Sequence, residues 1–504
     1  MDAIATLRQD MHEGRGSVDR LVDLIASQQR QLQATQQQLQ AATQRIEELE
    51  QKLGGPATAK LAEPFSLRSE EQRQEARGKK RRRKRKGRRG RFKTKDKIAQ
   101  AERTEPVFPE GIPANKCHLS HVRPVWRLEN GRAVLIAYQI YRGPGNRYGQ
   151  IPGVLGRSEF GLEIVTEIAY LVYVIGVSFD KVCLLLNFFQ NLRLRKSQAD
   201  ALLYQLSHHW EREFDVLCTL LANSLVVHAD ETRWSLNSVW AFLSEKARLL
   251  FFGVPKNAAT LRLILDPATF AGILISDDAA VYANFTASQK CWAHLLRKAI
   301  KLTLQDADNA EYRVFTDRLL AIYHEACRVQ RDQRLGDAGR ARKVAVLDDE
   351  IVDLCAALWF ADLPPLEGLA NDYRLLVNEV MRLMLAQELF TFVTAKPVEQ
   401  ANGTTQPVAG TNKEAERTLR DAAQARQTGR TNKTTNGARR QTILTSVLES
   451  LRLYLKTFTL ASVLEEIKRW WAAGRSCFTE RLEKLKVAPP EQSVIDRVLP
   501  SPSG

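Results

Sequence analysis

The stretch Val226-Val227-His228-Ala229-Asp230-Glu231-Thr232 ends a short apolar run on a carboxylate, and Gly272-Ile273-Leu274-Ile275-Ser276-Asp277-Asp278 does the same about fifty residues later. Apolar runs of this length, bounded by polar residues, read as buried strands. Two such strands lying side by side would deliver their terminal acids to one place, which is half of a site for divalent cations. Either Asp277 or Asp278 could partner Asp230. Glu231 points to the other side of an extended chain and reads as structural.

Working outward, residues 239–244 and 249–254 are two further β-rich runs separated by polar turns, and residues 261–265 read as a helical interlude before the strand at 272–276. Three antiparallel strands, a helix and a fourth strand form the opening of a ribonuclease-H-like fold. A third carboxylate normally completes such a cage, usually from a helix. Residues 411–420, Thr-Asn-Lys-Glu-Ala-Glu-Arg-Thr-Leu-Arg, supply one: Glu416 and Arg420 stand one helical turn apart and share a face.

The blocks His228-Ala229-Asp230-Glu231-Thr232, Ser276-Asp277 with Tyr282, Cys291-Trp292-Ala293-His294-Leu295-Leu296-Arg297-Lys298, and Asn412 with Ala415-Glu416-Arg417 and Leu419-Arg420 follow one another in an order that resembles a DDE transposase of the insertion sequence sixty-six family. The likeness runs from about residue 119 to about residue 455. It implies Asp230, Asp277 and Glu416 as metal ligands and catalytic residues. Asp277 is preferred because it stands five residues before an aromatic, with Asp278 as the alternative and Glu414 as the lesser alternative to Glu416. It implies two Mg²⁺ (or Mn²⁺) ions and DNA as partner, both element ends and target. His294 would touch the scissile phosphate or support the metals. Arg297, Lys298, Arg417 and Arg420 become DNA contacts. Zinc is not expected, because Cys291 with His294, like Cys117 with His118 and His121, falls short of the four donors of a tetrahedral site.

Charge sharpens this expectation. The chain of 504 residues carries a net charge of +16, and residues 77–97 alone hold fifteen Lys or Arg against the single acid Asp96. Its densest part, with Lys79, Lys80, Arg81, Arg82, Arg83, Lys84, Arg85, Lys86, Arg88 and Arg89, buries nothing and repels itself until a polyanion neutralises it. Ahead of it Val18, Ile25, Leu32, Leu39, Ile46 and Leu53 recur every seven residues, so a coiled coil that pairs copies of the chain is expected. The d positions are weaker, and a solvated Gln-rich helix is the alternative.

The expected architecture is α/β: a ribonuclease-H-like core with a helical insertion, preceded by a mainly helical domain and an N-terminal coiled coil. In residues this reads 1–55 coiled coil, 56–112 disordered basic linker, 113–222 helical DNA-binding domain, 223–285 first core part, 286–400 helical insertion, 401–475 last core part with the catalytic Glu, and 476–504 tail. Residues 132–141 read as a strand. Two helices meeting at residues 190–197, with Ser197 as N-cap, resemble a helix-turn-helix or an ordinary hairpin. Residues 428–440, rich in Thr, Asn and Arg, read as a loop on the DNA backbone.

Seven cysteines without a Cys-x-x-Cys pair argue against a disulfide framework, and no apolar run is long enough to span a membrane. With no signal peptide evident, the bacterial cytoplasm or nucleoid is the expected location. Two rivals to an active transposase stand: a domesticated, catalytically inactive nucleic-acid-binding relative, and an RNA-binding structural protein, which leaves the carboxylates unexplained.

Overall fold

The computed structural model describes residues 94–359 and 367–500, all within the compact unit Glu70–Gly504. The heptad helix and the basic residues Lys79 to Arg89 lie outside the described residues. After a short helix at Thr94–Ala99 comes a three-stranded sheet of β1 (Arg103–Val107), β2 (His118–Glu129) and β3 (Arg132–Arg142), ordered β1-β3-β2. The β2–β3 hairpin turns on Asn130-Gly131, both at positive φ (49° and 76°), as a two-residue turn matched to strand twist requires. Cys117, His118 and His121 sit at the start of this hairpin and form no metal cluster among the described residues.

Helix α1 (Leu162–Ala169) runs into a π-helical turn, Tyr170–Val174, and is followed by α2 (Phe179–Gln190), α3 (Lys196–His209) and α4 (Glu211–Ala222). α3 begins one residue before the expected cap at Ser197, because Gln198 accepts from the Arg195 amide at 3.0 Å and closes the helix start there. On α2 only Val182, Leu186 and Gln190 are buried; Phe188 and Phe189 face outward.

The second sheet carries the acids. Its strands are β4 (Val226–Arg233), β5 (Ser238–Ser244), β6 (Arg248–Val254), β7 (Ile273–Ser276) and β8 (Ser288–Lys290), in the order β6-β5-β4-β7-β8. β4, β5 and β6 are antiparallel neighbours, whereas β7 and β8 run parallel to β4. Helix α5 (Ala258–Ile264) makes the crossover that a parallel connection needs. The protein is therefore a mixed α/β structure. No sequence periodicity announces β8, whose three residues are polar yet all buried.

Strand alternation divides the chemistry between faces. Val227, Ala229, Trp240, Phe242 and Phe251 pack toward α4, while Val239, Ala241, Leu250 and Phe252 pack toward Leu419 and Ala422 of α10. Before that helix the chain forms a four-helix layer, α6 (Trp292–Gln305), α7 (Ala310–Arg331), α8 (Asp337–Trp359) and α9 (Gly368–Leu385), with its own core around Phe315, Ile351 and Val377. α10 (Lys413–Gln427) then returns to the sheet with Ala415, Leu419 and Ala422 buried, a spacing that puts one narrow apolar stripe against β4 and β5.

α11 (Thr435–Tyr454) closes the β6 edge with hydroxyls instead of a strand. The amides of Phe252, Leu250 and Arg248 donate to Thr442 Oγ1, Ser446 Oγ and Ser450 Oγ at 3.0, 2.9 and 3.0 Å. Four helical residues rise about 6 Å and two strand residues about 6.7 Å, so the two ladders stay in step over three rungs. This protects an edge that would otherwise pair with another chain. Ser446→Ala is expected to strand the Leu250 amide and lower stability by about 1–3 kcal/mol, read as a shift in the denaturant midpoint; an unchanged midpoint would remove the rung's significance.

Candidate active site

The parallel register places Val226 beside Ile273 and His228 beside Ile275, an offset of 47 residues. Extended two residues, past the end of β7 at Ser276, the same offset sets Asp277 opposite Asp230 and leaves Asp278 one residue out. Asp278 is engaged elsewhere, in an ion pair with Arg382 on α9. Asp277 Oδ1 accepts from the Ala279 amide at 3.1 Å, which tightens the turn after β7.

Asp230 is paired across the sheet with Ala241, so it faces α10; Glu231, paired with Trp240, faces the opposite side. There Glu231 accepts from the Tyr282 hydroxyl and is ion-paired with Lys256. Burial, with Glu231 beside it, holds the Tyr282 hydroxyl well above its usual range. Burial, together with repulsion from Glu231, Asp277 and Glu416, pushes the Asp230 carboxyl up to about 7.

Asn412 fixes the third acid. Fully buried at the start of α10, it donates from Nδ2 to the Ala229 carbonyl at 2.7 Å, and its Oδ1 lies 3.2 Å from His228 Nδ1. Its amide donates to Cys291 Sγ at 3.1 Å. Through its side chain Asn412 thus ties the helix of Glu416 to the strand of Asp230, and through its backbone N–H to the start of α6. Glu416, one turn along, has both oxygens within 2.6 and 2.7 Å of Arg297 Nη2, and its Oε1 lies 3.6 Å from His294 Nδ1. Glu414 turns away and pairs with Arg248 at 2.5 Å.

Among the described residues, the trio Cys291, His294 and Glu416 brings one ligand atom each within 4.8 Å of one another. In this arrangement the thiol accepts from Asn412, burial pushes it up, and the carboxylate is held by Arg297. His294 Nδ1 is buried without a hydrogen-bond partner.

The remaining expected DNA contacts divide. Lys298 is paired with Glu379 at 2.7 Å, while Arg417 and Arg420 are exposed on α10 without an ion pair among the described residues. The loop expected over residues 428–440 is shorter than that: Thr434 caps α11, and Arg439 and Arg440 are buried in pairs with Asp496 (2.7 Å) and Asp200 (2.8 Å). These guanidiniums hold helices together and do not face solvent.

The family model of the Transposase IS66 family matches residues 157–440, more than half of the chain. The chain belongs to this family. The matched span begins just before α1 and ends in the first turns of α11, so this transposase-family domain contains the second sheet, the four-helix layer and Asp230, Asp277 and Glu416. No curated protein matches the chain. No helix among the described residues is long and apolar enough to cross a membrane.

Sequence reasoning missed the residues that position the acids. Arg297, expected at the DNA, is paired with Glu416 here, and Arg382, Lys256 and the buried Lys290 of β8, whose Nζ reaches Ser276 Oγ at 3.4 Å, carried no local signal at all.

Proposed function

We propose that the chain is a DDE transposase built on a ribonuclease-H-like core, which cleaves the ends of its own mobile element and joins the freed 3′ hydroxyl to target DNA. The observation that carries this reading is the level placement of Asp230 and Asp277 on adjacent parallel strand ends, with the helix of Glu416 tied to the same strand through Asn412. The sheet order and the parallel β7 and β8 support the core assignment.

The residues fit hard divalent cations. The donors are carboxylate oxygens, the set Mg²⁺ and Mn²⁺ prefer, and beside the burial that chiefly raises Asp230, the smaller repulsion from neighbouring acids is one a cation relieves. Asp230, Asp277 and Glu416 would hold two such ions, which would supply charge stabilisation to the attacking and leaving oxygens of the phosphodiester. The protein's own groups do the rest. Arg297 holds the Glu416 carboxylate in place, and His294, beside it, presents its ring to a neighbouring phosphate. Arg417 and Arg420 line the open face of α10 for the DNA backbone, and Tyr282 and Lys256 fix the end of β4 through Glu231. The heptad helix pairs copies of the chain, and the basic linker adds affinity for any DNA.

A non-cutting, DNA-binding relative is the second reading, favoured by the fact that Arg297 occupies both oxygens of Glu416. Removing divalent ions with a chelator is expected to abolish nicking of DNA carrying the element's ends, and adding Mg²⁺ back to restore it, with binding retained throughout. Binding that never leads to nicking in Mg²⁺ or Mn²⁺ would establish the second reading.

A further inference from the structure

A cavity of about 760 Å³ opens beside the π-helical turn and α10, outside the acid cluster. Its apolar lining is Trp234, Leu250 and Phe252 from the sheet, with Tyr173 and Phe179 opposite. Trp234 and Phe252 meet edge to face, their ring centroids 5.4 Å apart. The polar rim has four cations, Lys196, Arg417, Arg430 and Arg452, against two acids, Asp421 and Glu449. Arg452 is paired with Glu449 at 3.3 Å and Lys196 with Asp180 at 3.2 Å, whereas Arg417 has no ion-pair partner among the described residues.

Two polar atoms of the cavity walls lack hydrogen-bond partners: Trp234 Nε1 and Thr445 Oγ1, on side chains only 6% and 5% exposed. Buried polar groups are nearly always satisfied, so orphans lining a cavity point to a ligand with a polar edge. The π-helical turn is a second departure from regular structure at the same place, and such turns concentrate at functional sites.

The chemistry selects among ligands. A hydrocarbon fits the aromatic lining but leaves the orphans and the rim charges unused, and a free phosphate fits only the rim. A nucleobase with its sugar and phosphate uses all three: its faces stack on aromatic rings, its edge meets Trp234 and Thr445, and its phosphate lies at Arg417. Trp234 stands four residues after Asp230, and Arg417 directly follows Glu416, so the elements that carry two of the acids also supply walls of the cavity. We propose that it takes one unstacked nucleotide of the DNA strand being processed. Holding a base out of the stack favours DNA that is distorted or already single-stranded, where extrusion costs least. The proposal rests on the DNA-processing reading above.

The test uses the full-length protein and a single-stranded oligonucleotide containing 5-iodouracil, cross-linked by light and mapped by mass spectrometry. Cross-links are expected in the peptides carrying Tyr173, Phe179 or Trp234. Ile175, 52% exposed in the cavity wall, offers a variant that spares the core: Ile175→Glu is expected to lower the cross-link yield there about tenfold, with an unchanged circular dichroism spectrum. Anisotropy of the same oligonucleotide reports binding separately. Absence of binding would overturn the DNA-processing reading and this proposal with it; binding with cross-links confined to other residues, or a yield unaffected by Ile175→Glu, would overturn the cavity alone.

Discussion

Asp230→Asn and Glu416→Gln are each expected to lower DNA cleavage by at least about 10²–10³-fold, the scale of losing one charge-stabilising group in a transition state, while DNA binding is retained. Both substitutions keep shape and remove one charge, so a fold defect is not the cause. Stability supplies an internal check. The folded Asp230 carboxyl titrates at about 7 and an unfolded one at about 4, so protonation favours the folded state. Metal-free protein therefore loses stability as pH rises through that window, and Asp230→Asn removes the loss. The inactive variant should melt higher than the parent at neutral pH without divalent ions. Asp277→Asn should behave like Asp230→Asn in cleavage, whereas Asp278→Asn and Glu414→Gln, whose carboxylates face Arg382 and Arg248, should retain most activity. Normal cleavage by Asp230→Asn or Glu416→Gln would sink the assignment.

Deleting residues 77–97 is expected to weaken binding to every DNA sequence to a similar degree and to flatten its salt dependence. The segment holds fifteen Lys or Arg, and each phosphate neutralised on duplex DNA contributes about −0.9 to the slope of log affinity against log salt. If roughly half of them engage, the slope falls by about six or seven units, and affinity at low salt falls by several orders of magnitude. A titration at several salt concentrations with specific and scrambled duplexes measures both. Loss of preference for one sequence, with the slope unchanged, would instead make the segment a base reader.

Much of the site was legible because it is written in local patterns. An apolar run that ends on an acid predicts a buried strand with a carboxylate at its mouth, and both β4 and β7 have that form. The apolar stripe of α10 likewise shows in Ala415, Leu419 and Ala422. β8 was not legible, since three polar residues have no period to read, and Asn130-Gly131 was a hairpin signal that went unused for β2. The expected DNA-facing loop failed at Arg439 and Arg440 for a similar reason: composition does not tell whether a guanidinium meets a phosphate or a carboxylate 57 or 240 residues away in the chain.

The amino-acid sequence by itself determined the α/β class, the acids at strand ends, the helix bearing Glu416 and the concentration of charge before residue 98. Each depends on residues within a few positions of one another. Only the tertiary structure decided that β4 and β7 run parallel in one register, that Asp278 pairs with Arg382, that Asn412 joins α10 to β4, that Arg297 holds Glu416, and that hydroxyls of α11 seal the β6 edge. Those outcomes depend on strand register and on contacts between residues more than a hundred positions apart, which packing sets and no local period encodes.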